Sequence, residues 1–293
     1  MKKLFASLLF VTIFSSFALA DRIPPPPMPS DFDGDGRGDL AVFRPSNGVW
    51  YLNRSQLGFI SVQFGISSDK PAAADYDGDR GMDIAVYRSG MWYIQTRTGG
   101  VIAIQFGQDG DIPQPADYSG DGKADIAVFR PSNGAWYIFD LSTNQFSAFQ
   151  FGQAGDVPVA TDYDADGKVD IAVYRNGNWY IQRSRDGFIG IAFGQVGDIP
   201  VVADYDDDGK ADVAVFRPSN GVWYLNRSQL GFSATQFGNS TDKPVPSNYD
   251  GDGRADIAVY RNGEWYIQGS RDGFMTFGFG NTSDIPIAYV FVP

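Results

Sequence analysis

The stretch "PVVADYDDDGKADVAVFRPSNGVWYLNRSQLGFSATQFG", residues 200–238, decides the fold. It reads as four short strands separated by turns. "PVVADY" at 200–205 is a first strand and "DVAVFR" at 212–217 a second. "PSNG" turns the chain into a third, "VWYLNR" at 222–227, and "SQLG" turns it into a fourth, "FSATQFG". The second and third are apolar or aromatic at nearly every position, which predicts that both their faces are covered. Between the first and second strands lies "DYDDDGKAD", with five aspartates in nine residues. Carboxylates packed this closely repel one another, so a fold keeps them together only where something offsets the repulsion.

The same unit recurs. "DFDGDGRGD" begins at 31, "DYDGDRGMD" at 75, "DYSGDGKAD" at 117, "DYDADGKVD" at 162, "DYDDDGKAD" at 204 and "NYDGDGRAD" at 248, with successive starts 44, 42, 45, 42 and 44 residues apart. Each is followed by an apolar strand, a turn and a Trp-Tyr pair, so that the six tryptophans fall one per repeat: Trp50, Trp92, Trp136, Trp179, Trp223 and Trp265. Repeats one, three and five carry "FRPSNG" before the tryptophan, while two, four and six turn on a shorter Ser-Gly or Asn-Gly. Such dipeptides suit tight hairpins whose central residues need positive φ. The chain is thus three copies of a two-repeat unit.

Four short strands repeated six times predict an all-β, six-bladed β-propeller of four-stranded antiparallel blades, each sheet packed between its neighbours. A straight β-solenoid is the alternative, but its rungs are usually shorter than this repeat. The segment 284–293, "DIPIAYVFVP", matches 198–207 but loses its acids, with Val290 where Asp204 stands. It reads as a first strand without a loop, placed to complete blade one and close the ring. The propeller is expected over 31–293, with "DRIPPPPMPS" at 21–30 as a polyproline-like arm before it.

The loop pattern D-x-D-x-D-G-x-x-D places oxygen ligands at positions one, three, five and nine, a backbone carbonyl at seven and a glycine at the sharp turn. That set wraps a hard cation, and Ca²⁺ suits a flexible loop better than Mg²⁺. The candidate side-chain ligands are Asp31, Asp33, Asp35 and Asp39; Asp75, Asp77, Asp79 and Asp83; Asp117, Ser119, Asp121 and Asp125; Asp162, Asp164, Asp166 and Asp170; Asp204, Asp206, Asp208 and Asp212; and Asn248, Asp250, Asp252 and Asp256. They include 22 of the 35 acidic residues. Up to six ions are expected. Loop 75–83 is in question because Arg80 replaces the glycine, and loops three and six trade one charge for a neutral oxygen. This is not an EF-hand: position twelve is an apolar strand residue such as Val215, where an EF-hand has Glu. Solvated acidic turns are the alternative reading.

Repeats with "FG", an Asp-rich loop and four strands resemble the FG-GAP and VCBS repeat families, which include the integrin α-subunit propeller and bacterial secreted propellers. The resemblance spans nearly all of 27–293. It implies a calcium-braced propeller used in adhesion or ligand binding, with a protein or glycan at a cell surface or matrix as partner.

The remaining expectations come from composition. "MKKLFASLLFVTIFSSFALA" at 1–20 has a basic start, an apolar run short for a bilayer span and a small-residue cleavage site near Ala20, the pattern of a secretory signal. Removing Lys2 and Lys3 leaves 35 acids against 21 bases, a net charge of −14, which six divalent ions would take to −2. Such a surface argues against nucleic acid and anionic lipid, and no second long apolar run predicts membrane insertion of the mature chain, which is expected to be monomeric. The chain has no Cys and no His and a single glutamate, Glu264, so disulfides, imidazole chemistry and most zinc sites are excluded and the expectation is a non-enzyme. A polysaccharide-active enzyme with two carboxylates is the least favoured reading. A lectin is the sharper form of the binding module. Its candidates are Arg44, Arg88, Arg130, Arg175, Arg217 and Arg261 with the Trp-Tyr pairs. Against that, the tryptophans are expected to fill space between blades and the arginines to pair with loop aspartates.

Overall fold

The computed structural model describes residues 30–287. The segment 1–20 read as a secretory signal, the expected arm up to residue 29 and the last six residues of the closing segment lie outside the described residues. Among the described residues there is no helix. Six four-stranded antiparallel sheets form the blades of a six-bladed β-propeller.

Blade five shows how the sequence builds one. Its strands are Ile199–Pro200, Val213–Arg217, Val222–Arg227 and Gly231–Gln236, in spatial order from the ring's axis outward. The inner ladder is shorter than 200–205. Pairing at Pro200 with Val215 lapses and resumes, in the same register, as a bridge between Ala203 and Asp212. A proline recurs in every inner strand (Pro71, Pro113, Pro158, Pro200, Pro244, Pro286). An edge strand tolerates this because it has no second neighbour for the missing N–H. The short hairpins have the predicted geometry: Asn176 and Gly177 take φ of 49° and 86°, the left-handed pair that a two-residue turn between twisted strands requires.

The second strand is buried on both faces, as its uniform apolarity predicts. The third is not. Trp223 and Leu225 are buried while Tyr224 on the other face is half-covered, and the outer strand alternates between half-buried and exposed. Blades diverge away from the axis, so the wedge between them fills near the centre and opens at the rim. The core is accordingly six inter-blade clusters. Val201, Phe216, Trp223 and Leu225 of blade five pack against Ile257 and Val259 of blade six. Blade six in turn sets Tyr260, Trp265 and Ile267 against Leu40 and Val42 of blade one.

The ring closes as the loop-less segment predicts. Ile285–Pro286 pairs antiparallel with Leu40–Arg44 as the inner strand of blade one, and the Ile287 N–H donates to the Ala41 carbonyl at 2.8 Å. A second closure runs through the acidic loops. The N–H at position eight of each loop donates to the carbonyl at position one of the preceding loop. The links are Met82 to Asp31, Ala124 to Asp75, Val169 to Asp117, Ala211 to Asp162, Ala255 to Asp204 and Gly38 back to Asn248, at 2.7–2.9 Å. These six bonds form an unbroken circuit around one end of the propeller.

Candidate metal centres

In blades two to six the acidic loop joins the inner strand to the second strand, and in blade one, whose inner strand is Ile285–Pro286, it leads into the second strand; each loop lies beneath the hairpin between the third and outer strands. Position one folds the loop. The Asp204 carboxylate accepts the N–H of Asp207 at 2.7 Å through Oδ1 and that of Gly209 at 2.8 Å through Oδ2. Asp31, Asp75, Asp117 and Asp162 do the same in their loops. Asn248, with one oxygen, accepts from Gly251 and Asp252.

Position nine ties loop to hairpin: Asp212 accepts the Tyr205 N–H at 2.9 Å and the Ser228 N–H at 2.7 Å. Asp39, Asp83, Asp170 and Asp256 repeat the pair with Ser55, Arg97, Ser184 and Ser270 as hairpin donors. Asp125 instead accepts from Tyr118 and Ser119. At position five, Asp35, Asp166 and Asp252 accept hydroxyls of Ser55, Ser184 and Ser270 at 2.5–2.6 Å, and Asp121 and Asp208 accept those of Ser142 and Ser228.

Position three is different. Oδ2 of Asp206 accepts the N–H groups of Gln229 and Leu230, both at 2.8 Å. Its Oδ1 is buried with no hydrogen-bond partner, and so are Oδ1 of Asp33, Asp77, Asp164 and Asp250. Buried carboxylate oxygens are rarely left unpaired. Here the same atom is left so in five loops. Carboxylate oxygens of Asp204, Asp206 and Asp212 lie within 4.8 Å of one another, as do those of Asp31, Asp33 and Asp39, of Asp75, Asp77 and Asp83, and of Asp162, Asp164 and Asp166. Loops three and six, with Ser119 and Asn248 in the set, bring no three carboxylates this close among the described residues.

What these groups lack is positive charge. Burial pushes the carboxyl of Asp39 up to about 7, backbone N–H bonds from Ser55 and Phe32 pull it back, and Asp33 and Asp31 push it further. Burial likewise raises Asp125 and Asp212 to about 7 and Asp83, Asp170 and Asp256 to about 6. Burial also raises Asp31, Asp75, Asp162 and Asp204. The donor set is all oxygen, which fits a hard divalent cation and not one that prefers nitrogen or sulfur.

Arg80, the departure that set loop two apart, does not break its fold. Arg80 adopts φ 73°, close to the 84° of Gly209 in loop five, and its N–H still donates to Asp75 Oδ2 at 2.8 Å. A non-glycine residue held there costs on the order of 1 kcal/mol.

The residues considered for sugar binding are already occupied. All six tryptophans are 0 % exposed; the Trp223 indole N–H donates to the Phe237 carbonyl at 2.8 Å, and the other five bond their Phe-Gly segments in the same way. The arginines do pair with aspartates, but not with those of the acidic loops. Arg217 grips Asp198 through two bonds of 2.7 and 2.8 Å and lies 4.4 Å above the Tyr224 ring. The equivalent partners are Asp284, Asp69, Asp111, Asp156 and Asp242. Their signal was in the sequence: an aspartate precedes Ile-Pro, Val-Pro or Lys-Pro at the start of every inner strand, nineteen residues before its arginine in five of the six blades. The correction has a simple cause, since this aspartate sits at the opposite end of the blade from the acidic loop, beside the end of the second strand. The hairpin serines over position five were also missed, though "RS" recurs before the outer strand in three repeats.

A closed six-bladed ring with an aspartate-rich loop in every blade defines a class of repeat propeller. The FG-GAP-like repeat model matches residues 31–86, 117–173 and 204–259, more than half of the chain. The chain belongs to the FG-GAP-like repeat family. Each match spans two loops, the two-repeat unit read from the sequence. No curated protein matches the sequence. Among solved structures, an Agrocybe aegerita lectin that recognises non-reducing terminal N-acetylglucosamine is similar with TM-score 0.57 and 18% identity, over 83% of this chain and 76% of the lectin. TolB from Acinetobacter baumannii gives TM-score 0.58 and 18% identity over 89% and 68% of the two chains. Virginiamycin B lyase from Staphylococcus aureus gives 0.52 and 8% over 86% and 88%. These likenesses show the propeller fold. Together, fold and family fit a ligand-binding module.

Proposed function

We propose that the chain is an exported, monomeric, non-catalytic propeller braced by calcium, acting as an adhesion or ligand-binding module for a protein or glycan at a cell surface or matrix. The observation that carries the calcium reading is the set of five equivalent, buried, unpartnered oxygens at position three. Bound calcium would supply the positive charge these loops lack, and would accept six to eight oxygens in loose geometry where magnesium demands six in a strict one. Positions one, three, five and nine of each loop would hold it, with Ser119 and Asn248 contributing neutral oxygens.

A non-catalytic role is supported by the use to which the acids are put. Most are in the loops or gripped by arginines, and Glu264 is exposed at a hairpin. The lectin reading is favoured by one observation only, and it moves away from the tryptophans. Phe59, Phe146, Phe188, Phe232 and Phe274 form a series around the rim, exposed by 58–63%. Each meets the Phe-Gly phenylalanine of the preceding blade edge-on, and Phe146 also stacks on Tyr137.

The test is a thermal melt of the mature chain in EDTA, in calcium and in magnesium. With Kd on the order of 0.1 mM per loop in about 1 mM calcium, linkage gives about 1.4 kcal/mol per site and roughly 8 kcal/mol for six. That is comparable to the whole stability of a typical domain, about 5–15 kcal/mol. A melting temperature indifferent to calcium refutes the reading.

A further inference from the structure

Loop two differs from the others in places that fit together. Its sixth and seventh residues are Arg80-Gly81, where the other loops have a glycine followed by a cation: Gly36-Arg37, Gly122-Lys123, Gly167-Lys168, Gly209-Lys210 and Gly253-Arg254. The hairpin residue whose N–H reaches position nine is Arg97, bonding Asp83 at 2.7 Å, where blades one, four, five and six use a serine. The Arg97 side chain fills the room that Gly81 leaves, since a Cβ on Gly81 would lie 1.9 Å from a guanidinium nitrogen.

From that seat Arg97 does two jobs. It donates to the Phe32 carbonyl at 3.3 Å. In loop one, Arg37 donates to the Tyr249 carbonyl at 3.0 Å, and Tyr249 holds the same position in its loop as Phe32. Arg97 has therefore replaced the seventh-position cation. Its Nε also lies 3.1 Å from Asp79 Oδ2. Asp79 is the fifth-position carboxylate, which in the other blades accepts a neutral serine hydroxyl. The rest of the loop is intact: Asp75, Asp77 and Asp83 still converge, and Oδ1 of Asp77 is still without a partner.

We propose that Arg97 is a built-in counter-ion that drops loop two out of the tight class of calcium sites formed by loops one, four and five, an inference that rests on the calcium reading above. A guanidinium fixed on one of four carboxylates removes a negative charge from the set and repels an incoming cation. Loops one, four and five keep four carboxylates under neutral hairpin serines and form the tight class. Loop two, with the same four, falls at least tenfold below them.

Calorimetric calcium titration of the EDTA-stripped mature protein tests this. Wild type should show three sites in the tight class, and Arg97→Ser four. Arg97→Lys, which keeps the charge, should stay at three. So should Arg185→Ser, which removes a hairpin arginine whose guanidinium pairs with Asp186 and reaches loop four only at the Asp164 backbone carbonyl, not at a loop carboxylate. A melt of each variant in EDTA confirms folding. Four tight sites in wild type, no gain in Arg97→Ser, or an equal gain in Arg97→Lys overturns the assignment of Arg97. No calcium bound at any loop overturns the calcium reading itself, and this inference with it.

Discussion

Asp206→Asn should move stability in opposite directions with and without calcium. In the metal-free protein Asp206 is a buried carboxylate satisfied on one side only: Oδ2 holds two N–H donors and Oδ1 holds none. Asparagine has the same shape. Its oxygen can keep the N–H groups of Gln229 and Leu230 while its NH₂ takes the place of Oδ1, among the carboxylates of Asp204 and Asp212 that lie within 4.8 Å. The substitution turns an orphaned acceptor into a donor and removes one of the repelling charges. Leaving a buried polar group unsatisfied costs about 1–3 kcal/mol, so in EDTA the variant should gain that much, a rise of roughly 2–8 °C in Tm. In calcium the same NH₂ faces the ion, and the loop loses its share of linkage, about 1.4 kcal/mol. The calcium-induced shift in Tm should therefore shrink even as the EDTA baseline rises. Paired melts and a calcium titration read both quantities, with stoichiometry falling by one. A variant less stable than wild type in EDTA would show that the orphaned oxygen is no liability. An unchanged calcium shift would show that Asp206 is no ligand.

Two further outcomes follow from the same chemistry. The position-nine carboxyls are raised from 3.8 to about 6 or 7, chiefly by burial, so their protonated forms favour the metal-free fold: Tm in EDTA should be higher at pH 5 than at pH 8, lost as pH climbs through 6 and 7. Calcium requires the ionised forms, so its stabilising shift should grow over that interval, and with no histidine in the chain no other side-chain type ordinarily titrates there; a Tm in EDTA that rises with pH contradicts the burial argument. Trp223→Ala, which empties a fully buried site at the blade five–six interface, should cost about 3–5 kcal/mol by calorimetry, and a loss below about 1 kcal/mol would mean that the neighbours collapse into the space.

Most of the fold was legible because a repeat states its own boundaries. Phe43 and Phe129 against Tyr87 and Tyr174 even declared the alternation of blades. The phenols reach the carbonyls of Gln108 and Gln195, a bond the phenylalanine blades cannot make. The loops were legible for a related reason: ligands to a hard cation must be spaced along one short segment, so their pattern is local. What escaped was non-local. Asp198 lies far from Arg217 in sequence and meets it only because the inner and second strands run antiparallel, and Arg97 reaches Asp79 across a hairpin. Tyr224 defeated the rule that an apolar strand is covered on both faces, since it packs against the cluster between blades four and five while a guanidinium lies over its ring, and it stays half-covered.

The hydrogen-bonded circuit from Gly38 through Asn248, and on around the loops, bears on how such a molecule comes apart. An open array of repeats frays, because its terminal unit has one neighbour where the others have two. This ring has no terminal unit. Every loop is both donor and acceptor to another, so no blade is a privileged starting point for melting, and the first opening must break links on two sides at once. A chain whose stability is distributed over six similar blades should then unfold in a single sharp step, the seam where Ile285 and Pro286 clasp Val42 and Phe43 opening together with the rest of the ring.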